Sequence, residues 1–143
     1  MDDLDQRILT ALAADSSAST SRLARRFKVA RSTVQSRIQR MEGAGVIAGY
    51  TIKLGDAALA RRVKATVLIQ VEPRAAAAIV VRLKAIPEVE TAHSTSGRAD
   101  FVLQVAADTT SDLDKILDDI VAIPGLKSSE TLIHLSTKFD RAV

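Results

Sequence analysis

The chain has 143 residues and a net charge of +3, a length that holds one ordinary domain or two small ones. Hydrophobic residues at 47% and charged residues at 26% give a globular composition and exclude a disordered chain. The absence of cysteine excludes a disulfide framework, a thiolate zinc site and a cysteine nucleophile. An aromatic content of 3% without Trp speaks against a single-strand binder that stacks bases on rings.

The chain opens MDDLDQ, acidic where a secretory leader is basic, and no apolar run approaches eighteen residues. A soluble, cytoplasmic protein with no membrane partner is expected. Asp2 caps a first helix that runs to about Ala14, with Asp5 in its first turn and Leu4, Ile8, Leu9 and Leu12 as one apolar stripe. The polar run from Asp15 to Ser21 ends that helix and supplies Ser19 as the next cap. Leu23, Ala24 and Phe27 mark a short second helix. Lys28-Val29-Ala30 is a tight turn, and Val34, Ile38 and Met41 mark a third helix closed by Gly45. Two helices joined by a three-residue turn and braced by a first form a helix-turn-helix.

Residues 46–54 are apolar and partly alternating, which reads as extended chain with a small wing as one outcome. Gly55–Arg62 is the expected hinge, which divides the chain into 1–54, 55–62 and 63–143. A strand follows with Ala65, Val67, Ile69 and Val71 on one face. Pro73 opens a helix bearing Ala76, Ile79, Val80, Leu83 and Ile86, and Pro87 closes it. Glu88–Ser96 and Asp100–Ala107 read as strands around a turn at Gly97. Another helix carries Leu113, Ile116, Leu117, Ile120 and Ile123, and Pro124-Gly125 precedes a last strand around Ser129–Leu135. The expected class is α+β, a (winged) helix-turn-helix followed by a ferredoxin-like βαββαβ domain. Its two helices cover one sheet face, and Leu68, Val102 and Leu132 fall on the other, which a second copy can cover.

Charge divides the same way. Residues 1–62 hold 11 Lys/Arg against 6 Asp/Glu, and residues 63–143 hold 9 against 11. Arg22, Arg25, Arg26, Lys28, Arg31, Arg37 and Arg40 stand within residues 21–40 without one acidic residue. A solvated helix face interleaves both signs, whereas a one-sign cluster suits a polyanion. With Val34, Ile38 and Met41 inward, Ser32, Ser36, Gln39 and Arg40 point outward on the third helix, flanked by Thr33 and Gln35. These groups can hydrogen-bond base edges in the major groove. Arg22, Arg25, Arg26, Lys28 and Arg31 are placed to meet phosphates of double-stranded DNA. Arg37 lies about 60° from the apolar centre, where it serves either DNA or an acid such as Glu42 or Asp5.

Two other functions compete with this one. A ferredoxin-like sheet binds RNA when two or three rings stack bases on its open face, and this one offers Phe101 alone. The phosphate-loop, nucleophile-elbow and paired-histidine signatures of enzymes are missing, and His93 and His134 are the only histidines. Neither a metal nor a cofactor is expected.

The segments DDLDQRILTAL, LARRF, STVQSRIQRMEGAGVIAGYTIKL, TSGRADFVLQV and IPGLKSSETLIHLS together resemble the Lrp/AsnC, or feast/famine, transcription regulators over nearly the whole chain and in family order. The resemblance implies a dimer built through C-terminal sheets, further assembly to a tetramer or octamer, and a palindromic operator. It also implies a small-molecule effector, an amino acid or related metabolite, held near a Gly-x-x-Asp turn. That turn is Gly97-Arg98-Ala99-Asp100. Asp100 there can accept an α-ammonium and the amides near Gly97 an α-carboxylate, unless the pair merely shapes the hairpin. His93, Ser94, Thr95, Ser129 and Thr131 are the further pocket candidates. The chain departs from the family at Lys28, in a glycine's place, and at Ala30, in that of a Ser cap. The third helix therefore starts either there or later, with Ser32 as its cap. Tetrapyrrole decarboxylases of similar architecture are the alternative, although Val89-Glu90-Thr91 stands where they carry a His-Asn-Tyr-type run.

Overall fold

The computed structural model describes residues 1–59 and 62–141. The chain forms two compact units, one of Met1–Lys53 with the C-terminal segment from Phe139, the other of Leu54–Lys138.

The first unit is three helices, α1 (Asp3–Ala14), α2 (Thr20–Phe27) and α3 (Arg31–Gly43). Asp2 and Asp5 form a reciprocal capping box at the start of α1, each carboxylate accepting the other's amide. Ser19 caps α2 by accepting the Arg22 amide at 3.1 Å. Lys28 then turns the chain in a left-handed conformation, φ 56 and ψ 46, at a steric cost of about 1 kcal/mol for a residue with a Cβ. The start of α3 is at Arg31, with Ala30 as a cap that offers no side-chain bond; the later start at Ser32 is not the one taken. Its end is a Schellman closure, in which the Val46 amide reaches the Met41 carbonyl and the Gly45 amide that of Glu42. Ile8, Ala11, Leu12, Leu23, Ala24, Val34 and Met41 form the core. No strand forms in residues 46–54, so the wing is absent: the apolar alternation is there, but a strand needs a partner with which to exchange backbone bonds.

In the second unit, one helical turn, α4 (Asp56–Leu59), falls within the expected hinge, of which Ala60 and Arg61 lie outside the described residues. The elements that follow are β1 (Val63–Val71), a 3-10 turn at Pro73–Ala75, α5 (Ala76–Lys84), β2 (Val89–Ser94), β3 (Phe101–Ala107), α6 (Thr110–Val121) and β4 (Leu126–Ile133). The sheet order is β2-β3-β1-β4, with every neighbouring pair antiparallel. Ala65, Val67, Ile69 and Val71 alternate inward against Ile79 and Leu83 of α5 and Leu113, Ile116 and Ile120 of α6. The last strand starts at Leu126, three residues before the expected place, directly after the turn at Gly125. That glycine has φ 93, and a Cβ on it would stand 2.3 Å from the Ala75 Cβ, so the approach of the 3-10 turn to β4 admits no side chain.

Leu68, Val102 and Leu132 do lie on the face away from the helices, since Leu68 pairs with Val102 and Thr66 with Leu132. That face is mixed rather than apolar. Thr66 and Gln104 pair across it, and the Thr66 hydroxyl lies 2.7 Å from His134 Nε2. Phe101 pairs with Ile69 and packs on the helix-side core, which leaves the open face without the ring an RNA reader requires.

Candidate nucleic-acid interface and effector turn

The basic cluster separates into two groups. Arg25, Arg26, Lys28 and Arg31 are exposed and form no ion pair among the described residues. The guanidinium of Arg26 sits 5.4 Å from the Phe27 ring centre, as does that of Arg7, a cation–π arrangement that leaves the charge available. Arg22 lies 3.7 Å from Asp15 in an exposed pair, too weak to withhold it from a phosphate. Arg37 and Arg40 differ. Arg37 Nη1 donates to Asp2 and, at 3.2 Å, to Asp5, while Arg40 Nη2 donates to Asp5 at 2.6 Å. Asp5 takes the partner role expected for an acid near Arg37, and Glu42 does not. Arg40, expected among the outward base readers, is exposed, and its guanidinium turns along α3 toward the start of α1 to reach Asp5. Helical periodicity gives the direction of its Cβ but not where a long side chain finds a carboxylate.

Asp5 is wholly buried, the one charged residue so placed among the described residues. Burial pushes its carboxyl upward, but the Asp2 amide, the Arg37 hydrogen bond and the Arg40 charge outweigh this and hold it below the ordinary value. The Arg37 hydrogen bond and then the Asp5 amide hold Asp2 at about 2. Arg37 is in turn raised, first by Asp2 and then by Asp5.

What remains outward on α3 is Ser32, Gln35, Ser36 and Gln39, with Thr33 half-buried. Gln35 and Gln39 also line a 470 Å³ groove with Ser19 and Thr20. The exposed polar row thus occupies the N-terminal two-thirds of α3, bordered by unpaired cations from α2 and the turn. This is the arrangement in which a recognition helix meets base edges and its surroundings meet phosphates.

In the second unit, Gly97 turns the chain at φ 106, and the hairpin is closed by the Thr95 hydroxyl donating to the Ala99 carbonyl at 2.8 Å and the Thr95 amide to the Asp100 carbonyl at 3.0 Å. Asp100 Oδ2 accepts the Val71 amide at 2.8 Å, and the Asp100 amide donates to the Ile69 carbonyl at 2.8 Å. One carboxylate oxygen therefore continues the β1–β3 ladder where β3 begins, which is the structural reading of this residue. The other candidates are not gathered into one place. His93 faces the open side opposite Val102, Ser94 the helix side opposite Phe101, and Ser129 and Thr131 the helix side opposite Ile69 and Val67. β2 and β4 are opposite edges of the sheet, about 14 Å apart at the usual strand spacing.

Arg98 does reach β4. A 260 Å³ cavity is lined by Leu68, Gln70, Arg98, Ala99, Ser128, Ser129 and Glu130. Gln70 Nε2 donates to the Arg98 carbonyl at 2.6 Å, Ser128 Oγ donates to Gln70 Oε1 at 2.9 Å, and Arg98 Nη2 donates to Glu130 Oε2 at 3.4 Å. Gln70, Ser128 and Glu130 are not among the residues that the sequence singles out. Their alternation with Ser129 and Thr131 along β4, and with Ile69 along β1, is the signal that could have found them.

The family described as the Lrp/AsnC ligand binding domain matches residues 64–143, and that described as the AsnC-type helix-turn-helix domain matches residues 1–42. The HTH-type transcriptional regulator LrpA of Mycobacterium tuberculosis is 33% identical over 142 residues, covering 99% of this chain and 95% of its own. The HTH-type transcriptional regulator FL11 of Pyrococcus horikoshii is 28% identical over 137 residues, covering 96% and 91%. The structure of Escherichia coli AsnC superposes with a TM-score of 0.89 at 27% identity, covering 100% of this chain and 97% of its own. Relatives named as regulators set aside the tetrapyrrole decarboxylase alternative. No helix among the described residues is long and apolar enough to cross a membrane. A helix-turn-helix with an unpaired basic border, joined to a four-stranded sheet unit and matched along its length by regulators of this kind, places the chain in the Lrp/AsnC family as a DNA-binding transcriptional regulator.

Proposed function

We propose that the protein acts as a homodimer on a palindromic operator, with Ser32, Gln35, Ser36, Gln39 and Thr33 reading bases and Arg22, Arg25, Arg26, Lys28 and Arg31 holding phosphates. The observation that supports this reading is the exposed polar row on α3 bordered by Arg25, Arg26, Lys28 and Arg31, which pair with no acid among the described residues. Affinity for duplex DNA should fall with salt at about −0.9 per phosphate neutralised on a log–log plot. Gln39→Ala should weaken a preferred duplex more than a scrambled one. Equal losses on both would make Gln39 a backbone contact, and a flat salt dependence would remove the whole face from the duplex.

The second copy covers the open sheet face at Leu68, Val102 and Leu132, and pairs of dimers build the tetramer or octamer. Leu68→Glu should convert the dimer to monomer in light scattering; an unchanged mass would move the interface elsewhere. The effector is an amino acid or related metabolite at the Gly97–Asp100 turn. Within one subunit the cavity beside it offers Arg98 to a carboxylate and Glu130 to an ammonium, with Ser128 and Gln70 in the same lining. Effector binding regulates only through a difference in affinity between assembly states or DNA-bound geometries. A thermal-shift screen of the twenty amino acids at millimolar concentration exposes even weak binding. Glu130→Gln should abolish the shift of any active amino acid, and a retained shift would put the ammonium site at Asp100 or beyond.

A further inference from the structure

A small helical core that buries a carboxylate must explain it. Removing a charge from water costs several kcal/mol unless partners replace the lost hydration, and a buried ion pair adds little stability over apolar residues of like size. Asp5 is nevertheless wholly buried beside an otherwise apolar core. Part of its role is local, since it closes the capping box of α1 by accepting the Asp2 amide at 3.2 Å while Asp2 accepts the Asp5 amide at 2.9 Å. What the Asp5 carboxylate adds is reach to another helix, through Arg37 at 3.2 Å and Arg40 at 2.6 Å.

Those two arginines stand three residues apart on one side of α3. Arg37 is 25% exposed and is held from two directions, by Asp5 and Asp2. Arg40 is 60% exposed, yet its guanidinium turns away from the outward row to reach Asp5. The opposite end of α3 has no comparable anchor, since Ala30 caps it without a side-chain bond and Lys28 leads into it through a left-handed turn. The pose of the helix over a groove thus depends on its apolar stripe and on this clamp at its C-terminal half.

We infer that Asp5 is a positioning residue for DNA reading, which fixes the pose of α3 and keeps Arg37 and Arg40 off the duplex by holding both on the side of α1. This rests on the reading that the exposed face of α3 meets DNA. The seven basic residues of 21–40 then serve two purposes, five facing phosphates and two tying the reader to its support. Sequence discrimination falls to uncharged side chains, with no arginine at a guanine.

The test uses the full-length protein and two labelled duplexes, one selected in vitro from a random pool and one of scrambled sequence, titrated across a salt series. For D5N, which keeps the shape and loses the charge, the slope should steepen by up to about 0.9 for each arginine released onto a phosphate. The ratio of selected to scrambled affinity should fall about tenfold, the worth of one base contact. A folded D5N variant with the wild-type slope and ratio overturns the inference, because a purely structural carboxylate would move neither. Should D5N not fold, R40Q decides by its slope: it stays at the wild-type value if Arg40 is held off the duplex, while the ratio falls because half of the clamp is lost. A slope about 0.9 shallower would instead make Arg40 a DNA contact and refute the assignment. If the wild-type protein itself shows neither salt dependence nor preference, the reading of α3 as the duplex face fails, and the inference with it.

Discussion

The two units stabilise themselves by different means. Among the described residues, the core of the helical unit has seven buried apolar side chains beside one buried carboxylate, whereas that of the sheet unit has thirteen buried apolar side chains and no buried charge. In the sheet unit, strand register and alternating side chains set geometry, and backbone ladders carry orientation from one element to the next. Three short helices have no such ladder between them. Their angles are set by side chains alone, and the bonds from Asp5 to Arg37 and Arg40 tie α1 directly to α3. The unit with a reader to aim is the one that includes the charge.

The largest effect that would probe this contrast comes from emptying each core. Ile8→Ala and Ile79→Ala remove equally buried side chains and should each cost about 2–5 kcal/mol in urea unfolding. The same loss is a greater share of the smaller core, so Ile8→Ala should abolish DNA binding at ambient temperature while Ile79→Ala leaves a folded protein. Equal tolerance of the two would erase the distinction. Next, Gly125→Ala forces a Cβ against Ala75 at a positive φ, which should cost about 2–4 kcal/mol by strain and overpacking together and lower the midpoint of thermal unfolding without altering the salt slope.

Acid should separate the units further. The carboxyls of Asp2, at about 2, and Asp5 lie below their ordinary value in the folded unit. A depressed folded value means stability that is fully present above the unfolded value, near 4, and lost as pH falls from there toward 2. Helical signals from residues 3–43 should therefore fade before those of the sheet, as residue-resolved NMR on acidification would show, and D5N should remove most of the difference. The smallest effect belongs to Lys28. Lys28→Gly should relieve about 1 kcal/mol of left-handed strain, partly offset by the greater freedom of the unfolded chain, and flatten the salt slope by about 0.9 as one phosphate contact is lost.

Most elements are legible in the sequence because their signals are local. The stripe Leu4, Ile8, Leu12 and the caps Asp2 and Ser19 mark helices without reference to anything distant, as do Pro73 and Pro87 around α5. What escapes depends on partners far along the chain. The wing at 46–54 fails for lack of a paired strand, and β4 begins early because Leu126 already pairs with Val71. The helical angle of Arg40 points it outward, but its charge meets Asp5, 35 residues away. The effector candidates are near one another along the sequence or its motifs, and the strand order then separates His93 and Ser94 from Ser129 and Thr131. Glu130 has only its alternation along β4 as a local signal, because its interest lies in facing Arg98, 32 residues away.

The Asp100 carboxylate on the Val71 amide gives the second unit a built-in reporter. A backbone N–H that relies on a side chain for its acceptor is shielded from solvent deuterium only while that side chain stays in place. A small molecule that pulls Asp100 Oδ2 to itself releases Val71, and its arrival would register as faster deuterium uptake at a buried valine that it never touches, whereas one that takes only the other oxygen would leave Val71 shielded.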